Sequence, residues 1–295
     1  MNILLSNVKR HTKLFFKDKG LFFTSLITPL ILLVLYSTFL SNVFEDSFRQ
    51  VFTKVGVSVS DKQISGLVGG QLMSSLLAVS CVTVSFCSNM LMVQDKINGA
   101  YNDLMMTPLK RSKLALSYYI STTISTLIIC LIAFVSCLVY VGIAGWYLTA
   151  SDILLLLLDI FLLTTFGTAL SSVINFFLSS QGQVSAVGSI VSSCYGFICG
   201  AYMPLSSFGS GLRNAVMFLP GTYGTALIRN HSLNSVIETL PPQAVKGLKD
   251  SIDCNIYFFG NNVETGTMYL VISISIVALI TAYVLINKFC KKIKK

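Results

Sequence analysis

Two stretches of the chain, 63–94 and 114–151, carry no charged residue. Each is longer than the roughly 20 apolar residues that a helix needs to cross a bilayer. Composition agrees: 54% of the 295 residues are hydrophobic and 11% are charged, where a soluble domain carries about 25%. The mean hydropathy is +0.75. Such a chain cannot cover a water-facing surface, and the expected fold class is an all-α integral membrane protein with a single membrane domain over 1–295.

Between the two tracts lies a charged island, 95–113. It holds four basic residues (Lys96, Lys110, Arg111, Lys113) and two acidic ones (Asp95, Asp103). Basic loops sit on the cytoplasmic face. Asn98 to Met106 reads as a short helix that Pro108 stops. A small helix held between two spans can be pushed by something soluble.

Around the island the reading gives six spans, at about 21–40, 66–94, 114–140, 152–177, 184–203 and 268–286. Residues 2–19 read as an amphipathic interfacial helix. Leu4, Val8 and Phe15 lie on one face, turned toward the acyl chains, and Arg10, Lys13 and Lys17 on the other. Pro29 is a kink site in the first span, and 42–65 is expected as an outer loop of mixed charge. Tyr118 and Tyr119, then Tyr140, Trp146 and Tyr147, mark the two interfaces of the third span. A short inner turn holds Gln181 and Gly182. The 204–229 segment is apolar but broken by Pro204, Pro220, Gly221 and other glycines, which suits two short re-entrant segments shielded by protein. A polar outer loop is expected over 230–266. Fourteen of the 21 Lys and Arg fall in the segments this scheme places inside, including Lys291, Lys292, Lys294 and Lys295. Both termini are therefore expected in the cytoplasm, at the plasma membrane.

The formal charge of +9 is concentrated beside the spans. Topology and anionic headgroups account for it without nucleic acid. The eight cysteines form no CxxC pair, and only Cys254 lies clearly in a polar loop, so neither a disulfide framework nor a metal site is expected. The basic start runs into a normal span rather than a cleavable signal. No phosphate-binding G-x-x-x-x-G-K-[ST] loop is present. His11 and His231 are the only histidines, and neither lies in an expected span. An enzyme is therefore not expected, and a transporter driven by a separate motor is the best class.

The order of these parts resembles the membrane subunits of ATP-binding-cassette exporters of the type-two permease family, which includes drug and polysaccharide exporters. In that family the first inner loop often reads Glu-Arg-Glu-x-Gly-Thr-Leu-Glu-x-Leu, then Thr-Pro. Here Asp95 stands for the first acid, Lys96 for the Arg, Gly99 for the Gly and Leu104 for the closing Leu. Thr107-Pro108 stands for the Thr-Pro. Ile97 replaces the second acid and Asn102 the later Glu, with Asp103 adjacent. Gly200-Ala201-Tyr202-Met203-Pro204 and Leu219-Pro220-Gly221-Thr222-Tyr223 are similar to the family's re-entrant segment.

The resemblance implies two paired permeases and two ATPase subunits docked from the cytoplasm. The 98–106 helix would be the coupling helix, with Gln181-Gly182 as a second contact. ATP and magnesium would sit on the ATPase, with no cofactor on this chain. The cargo would be hydrophobic or amphipathic. Lipid-linked polysaccharide, a peptide antibiotic, or an ATPase-independent carrier or channel are the alternatives.

Two features bear on a translocation path. Asp159, an acid two turns into the fourth span, either meets a cationic substrate group or a partner Arg, or lies shallow and bonded to a neighbouring Ser or Thr. The Ser and Thr residues of the second and fifth spans, including Ser80, Ser189 and Ser192, either let helices approach closely or line a cavity with Met73, Phe86 and Tyr195.

Overall fold

A computed structural model describes residues 3–289. Lys291, Lys292, Lys294 and Lys295 of the expected inner cluster lie outside the described residues, as does Cys290. The described chain is helical apart from one two-residue hairpin, as the apolar tracts require.

Helix α1 (Ile3–Lys17) joins α2 (Lys19–Leu35) through Asp18, whose carboxylate accepts the Leu21 N–H at 3.1 Å. α2 does not end near residue 40. A π-helical turn, Tyr36–Leu40, carries it into α3 (Ser41–Val55), and Gly56 (φ 71°) stops it with a left-handed cap. The expected loop from residue 42 is thus helix. Phe44, Phe48 and Phe52 recur every four residues, and Phe48 and Phe52 are buried. On the opposite side Arg49 bridges Glu45 (2.8 Å) and Asp61 (2.7 Å).

Ser60 and Gln63 form a capping box that starts α4 (Asp61–Ser88), which breaks at Asn89 and continues as α5 (Met90–Ile97). α4 is the axis of the molecule. It is buried almost continuously from Ile64 to Phe86, as a helix apolar on all sides must be.

After the short α6 (Ala100–Met106) come α7 (Arg111–Ala144), α8 (Ala150–Phe177) and α9 (Gln181–Ile198). α4 packs against α2, α7 and α8. Gly167 of α8 lets that helix come close to α4: a Cβ there would lie 3.0 Å from the Val82 Cα. Among the described residues, five helical stretches are long and apolar enough to cross a membrane: 19–53, 61–97, 111–144, 150–177 and 265–289. The fifth expected span, 184–203, is α9, whose 18 residues end at Ile198.

Beyond α9, Pro204 leads a 3₁₀ turn (Leu205–Ser207), then α10 (Ser210–Val216) and α11 (Pro220–Glu238). Pro220 occupies the first turn of α11, where its missing N–H costs nothing. The expected boundary at 229 falls inside α11, and the expected polar loop is largely structured. Besides the end of α11 it holds α12 (Pro242–Ser251) and the hairpin β1 (Tyr257–Phe258) and β2 (Asn261–Asn262). The reason is that its polar residues find internal partners. Asn230 donates to the carbonyls of Ala226 and Cys254, and Gln63 donates to that of Thr239. Cys254, expected in a polar loop, is buried. α13 (Thr265–Phe289) closes the bundle against α8, α11 and α7.

α1 lies across α7. Val8 and Phe15, the face expected to meet acyl chains, are buried against protein, while Leu4 is half-buried. Lys13 and Lys17 remain exposed, as the helical spacing predicts.

Candidate coupling site and groove

α6 stands between the end of α5 and the start of α7. Gly99 turns the chain with φ 83°, a conformation that costs a residue with Cβ about 1–2 kcal/mol. Its carbonyl accepts the Asn102 N–H at 2.8 Å and so opens the helix. At the other end the Leu104 carbonyl accepts both the Thr107 N–H (3.3 Å) and its hydroxyl (2.6 Å). Pro108 follows directly, and the helix does not continue. One side of α6 is rooted: Tyr101, Leu104 and Met105 pack on a cluster of Met92, Leu109, Leu114 and Tyr118. The other side is open, with Asn98, Asp103, Thr107 and Pro108 exposed and Met106 88% exposed.

Asp95 and Lys96 do not share that open surface. Asp95 is buried and accepts the Tyr118 hydroxyl at 2.6 Å and the Arg10 guanidinium at 3.0 Å. Arg10 also donates to Nδ1 of His11 at 3.1 Å, and His11, wholly buried, stacks on Tyr118 at 3.9 Å. Burial first, then the Arg10 charge, pushes His11 down to about 4, against the opposing pull of Asp95. Lys96 reaches the end of α8, where Nζ donates to the carbonyls of Phe176 (2.7 Å), Asn175 (3.1 Å) and Leu178 (3.4 Å). A cation at a helix C-terminus is favourably placed. It also sets the island beside the α8–α9 turn, where Gln181 and Gly182 are exposed. One acid and one base therefore tie α5 to α1, α7 and α8.

Beside this region, α4, α5, α8 and α9 border an open groove of about 450 Å³. It is lined by Phe86, Cys87, Met90, Asn175, Val184, Ser185, Gly188, Ser189, Ser192 and Ser193. No charged side chain lines it.

With this geometry in place, a family model described as ABC-2 type transporter matches residues 3–231. The chain belongs to the ABC-2 type transporter family. Comparison with curated proteins returns no match. The match covers α1 to the first half of α11, and so includes α6 and the groove. The chain is therefore a membrane-embedded ABC-type permease, from a family of transport components that are not themselves catalytic. Membership of the family implies an ABC ATPase partner in general terms.

Of the residues expected along a path through the permease, the structure brings Phe86, Ser189 and Ser192 to the groove. Met73 and Ser80 are sealed inside the bundle by the close packing of α4. Tyr195 is half-buried, its hydroxyl beside Gly221, where a Cβ would come within 2.5 Å of it. Asp159 is buried away from the groove. Its two oxygens accept Nδ1–H of His231 (2.6 Å, from α11) and the Tyr269 hydroxyl (2.7 Å, from α13). Among the described residues its partners are thus His231 and Tyr269 rather than a neighbouring Ser, Thr or Arg. Two turns earlier on α8, Asp152 accepts the hydroxyls of Thr149 and Ser235. α8 and α11 are thus joined by two polar rungs on one face. Sequence reasoning missed His231 because the expected loop hid the helix that carries it.

Arg229 of α11 is also buried. It donates to the Gly200 carbonyl at 2.6 Å and lies 3.6 Å from Asp253. This fastens the broken 199–205 segment onto α11.

Proposed function

We propose that this permease is the membrane half of an exporter that moves a drug-like or amphipathic compound outward, driven by a separate ATPase. Two permeases pair and two ATPase subunits dock from the cytoplasm, where both permease termini lie. ATP and magnesium are held by the ATPase.

The observation that carries this reading is the contrast between the two sides of α6. Its exposed side, with Asp103 and Met106 and with Asn98 just before it, is free to enter a cleft in a soluble subunit. Its rooted side continues into the Asp95 and Lys96 attachments. A push on α6 therefore passes to α1, α7 and α8 as a rigid-body motion rather than being absorbed by a loop. Gln181 and Gly182 supply a second contact beside it. The charge-free groove, with Phe86, Met90 and several serines, suits an amphipathic cargo.

The test uses the permease and its ATPase in inverted vesicles with a panel of neutral amphipathic dyes. Dye should accumulate only with ATP and the ATPase present. The surface substitutions Asp103→Arg and Met106→Asp should abolish uptake while the permease stays folded. Uptake without ATP or any partner would sink the reading, and so would full activity in both variants.

A further inference from the structure

Beside the start of α13 the chain builds an apolar point that no span explains. In the hairpin, Tyr257 pairs with Asn262 and Phe258 with Asn261, leaving Phe259 and Gly260 as the turn. Both have positive φ, 46° and 86°. Two-residue turns of this hand favour Asn or Asp before Gly, and a bulky residue there is strained. Core packing does not offset that strain, because the Phe259 ring is 63% exposed. It meets Phe258 at 4.7 Å and Phe218 at 6.4 Å, while Phe218, 67% exposed, meets Phe258 at 5.2 Å. Leu212 and Leu219 extend the exposed apolar surface.

The depth of this cluster follows from its place at the start of α13. Only Val263 and Glu264 separate the hairpin from that helix, and Phe258, Val263, Met268 and Ile272 share one packed cluster. The outward apolar face of α13 continues from there through Leu270 and Ile274. Exposed Asn261, Asn262 and Glu264 rim the rings.

We propose that Phe218, Phe258 and Phe259 form a wedge that docks into the lipid bilayer at the boundary between headgroups and acyl chains. It holds α10 and the hairpin at the membrane surface. Aromatic rings favour that boundary. The lipid occupant follows from continuity with the outward apolar face of α13, a helix long and apolar enough to cross a membrane.

The full-length permease, with its single Trp146 replaced by Phe, would carry Phe259→Trp or Phe218→Trp in lipid nanodiscs. Each indole should show blue-shifted emission, strong quenching by lipids brominated near the head of the acyl chain, and protection from aqueous iodide. Quenching by iodide alone puts the rings in water and overturns the proposal. Protection from both quenchers puts them inside a protein contact, such as a second copy, and overturns it equally. Phe259→Asn separates anchoring from folding. It relieves the turn, so the thermal midpoint in detergent should hold or rise, while the midpoint in nanodiscs should fall. A fall in both media would make Phe259 a folding residue and sink the wedge.

Discussion

A carboxylate inside a membrane helix costs up to about 2.5–3.5 kcal/mol by insertion scales, the full value applying at the helix centre. Asp159 offsets this cost with two donors drawn from two other helices. Removing one partner strands the other, so D159N and H231Q should each destabilise the permease by roughly 2–4 kcal/mol. The double variant should lose clearly less than the sum, with a coupling of at least about 1 kcal/mol. Unfolding in mixed micelles measures all three, and simple additivity would show that the pair does not hold α11 to α8. The acid was conspicuous in sequence. Its partners were not, because His231 and Tyr269 lie 72 and 110 residues away. His11 gives a prediction of a different kind. Its pKa is lowered from 6.5 to about 4. The unfolded chain therefore takes up a proton near pH 6.5, and the folded chain does not until near pH 4. Stability should be lost across that window as pH falls, by on the order of 3 kcal/mol at its acid end. Thermal midpoints across the window should slope less in H11Q than in the parent, and equal slopes would contradict a buried neutral imidazole.

At the scale of elements, local chemistry explains what could be read early. The end of α6 follows from Pro108, which acts within a turn of itself, and its start falls at Ala100 rather than at the expected Asn98 because Gly99 takes a left-handed φ. The Phe44, Phe48 and Phe52 spacing of α3 was equally local, but the mixed charges around it resembled a loop. Close helix approach is not local. Gly167 faces the Val82 and Cys81 backbone of α4, which cannot yield as a flexible side chain could. G167A should therefore push α8 from α4 and cost about 1–3 kcal/mol. G182A meets open space within a helix and should be neutral or slightly stabilising. Parallel unfolding curves of the two variants check this, and equal effects would deny the close contact its role.

At the scale of the whole molecule, the charge-free tracts by themselves determined a helical membrane protein. The proline-stopped island determined a short helix on one face of it. Those features depend on composition and on turn chemistry a few residues long. The tertiary structure alone decided which way each helix turned. α4 is apolar on every side, so nothing in its pattern distinguished Phe86, at the groove, from Met73 and Ser80, sealed in the bundle. Likewise the apolar stripe of α1 was equally suited to lipid or to protein, and only the fold set it against α7. Asp95 and Lys96 looked like surface charges until packing brought Arg10, Tyr118 and the end of α8 within reach. Hydrophobic burial has no direction of its own, so orientation comes from complementary neighbours far away in the chain.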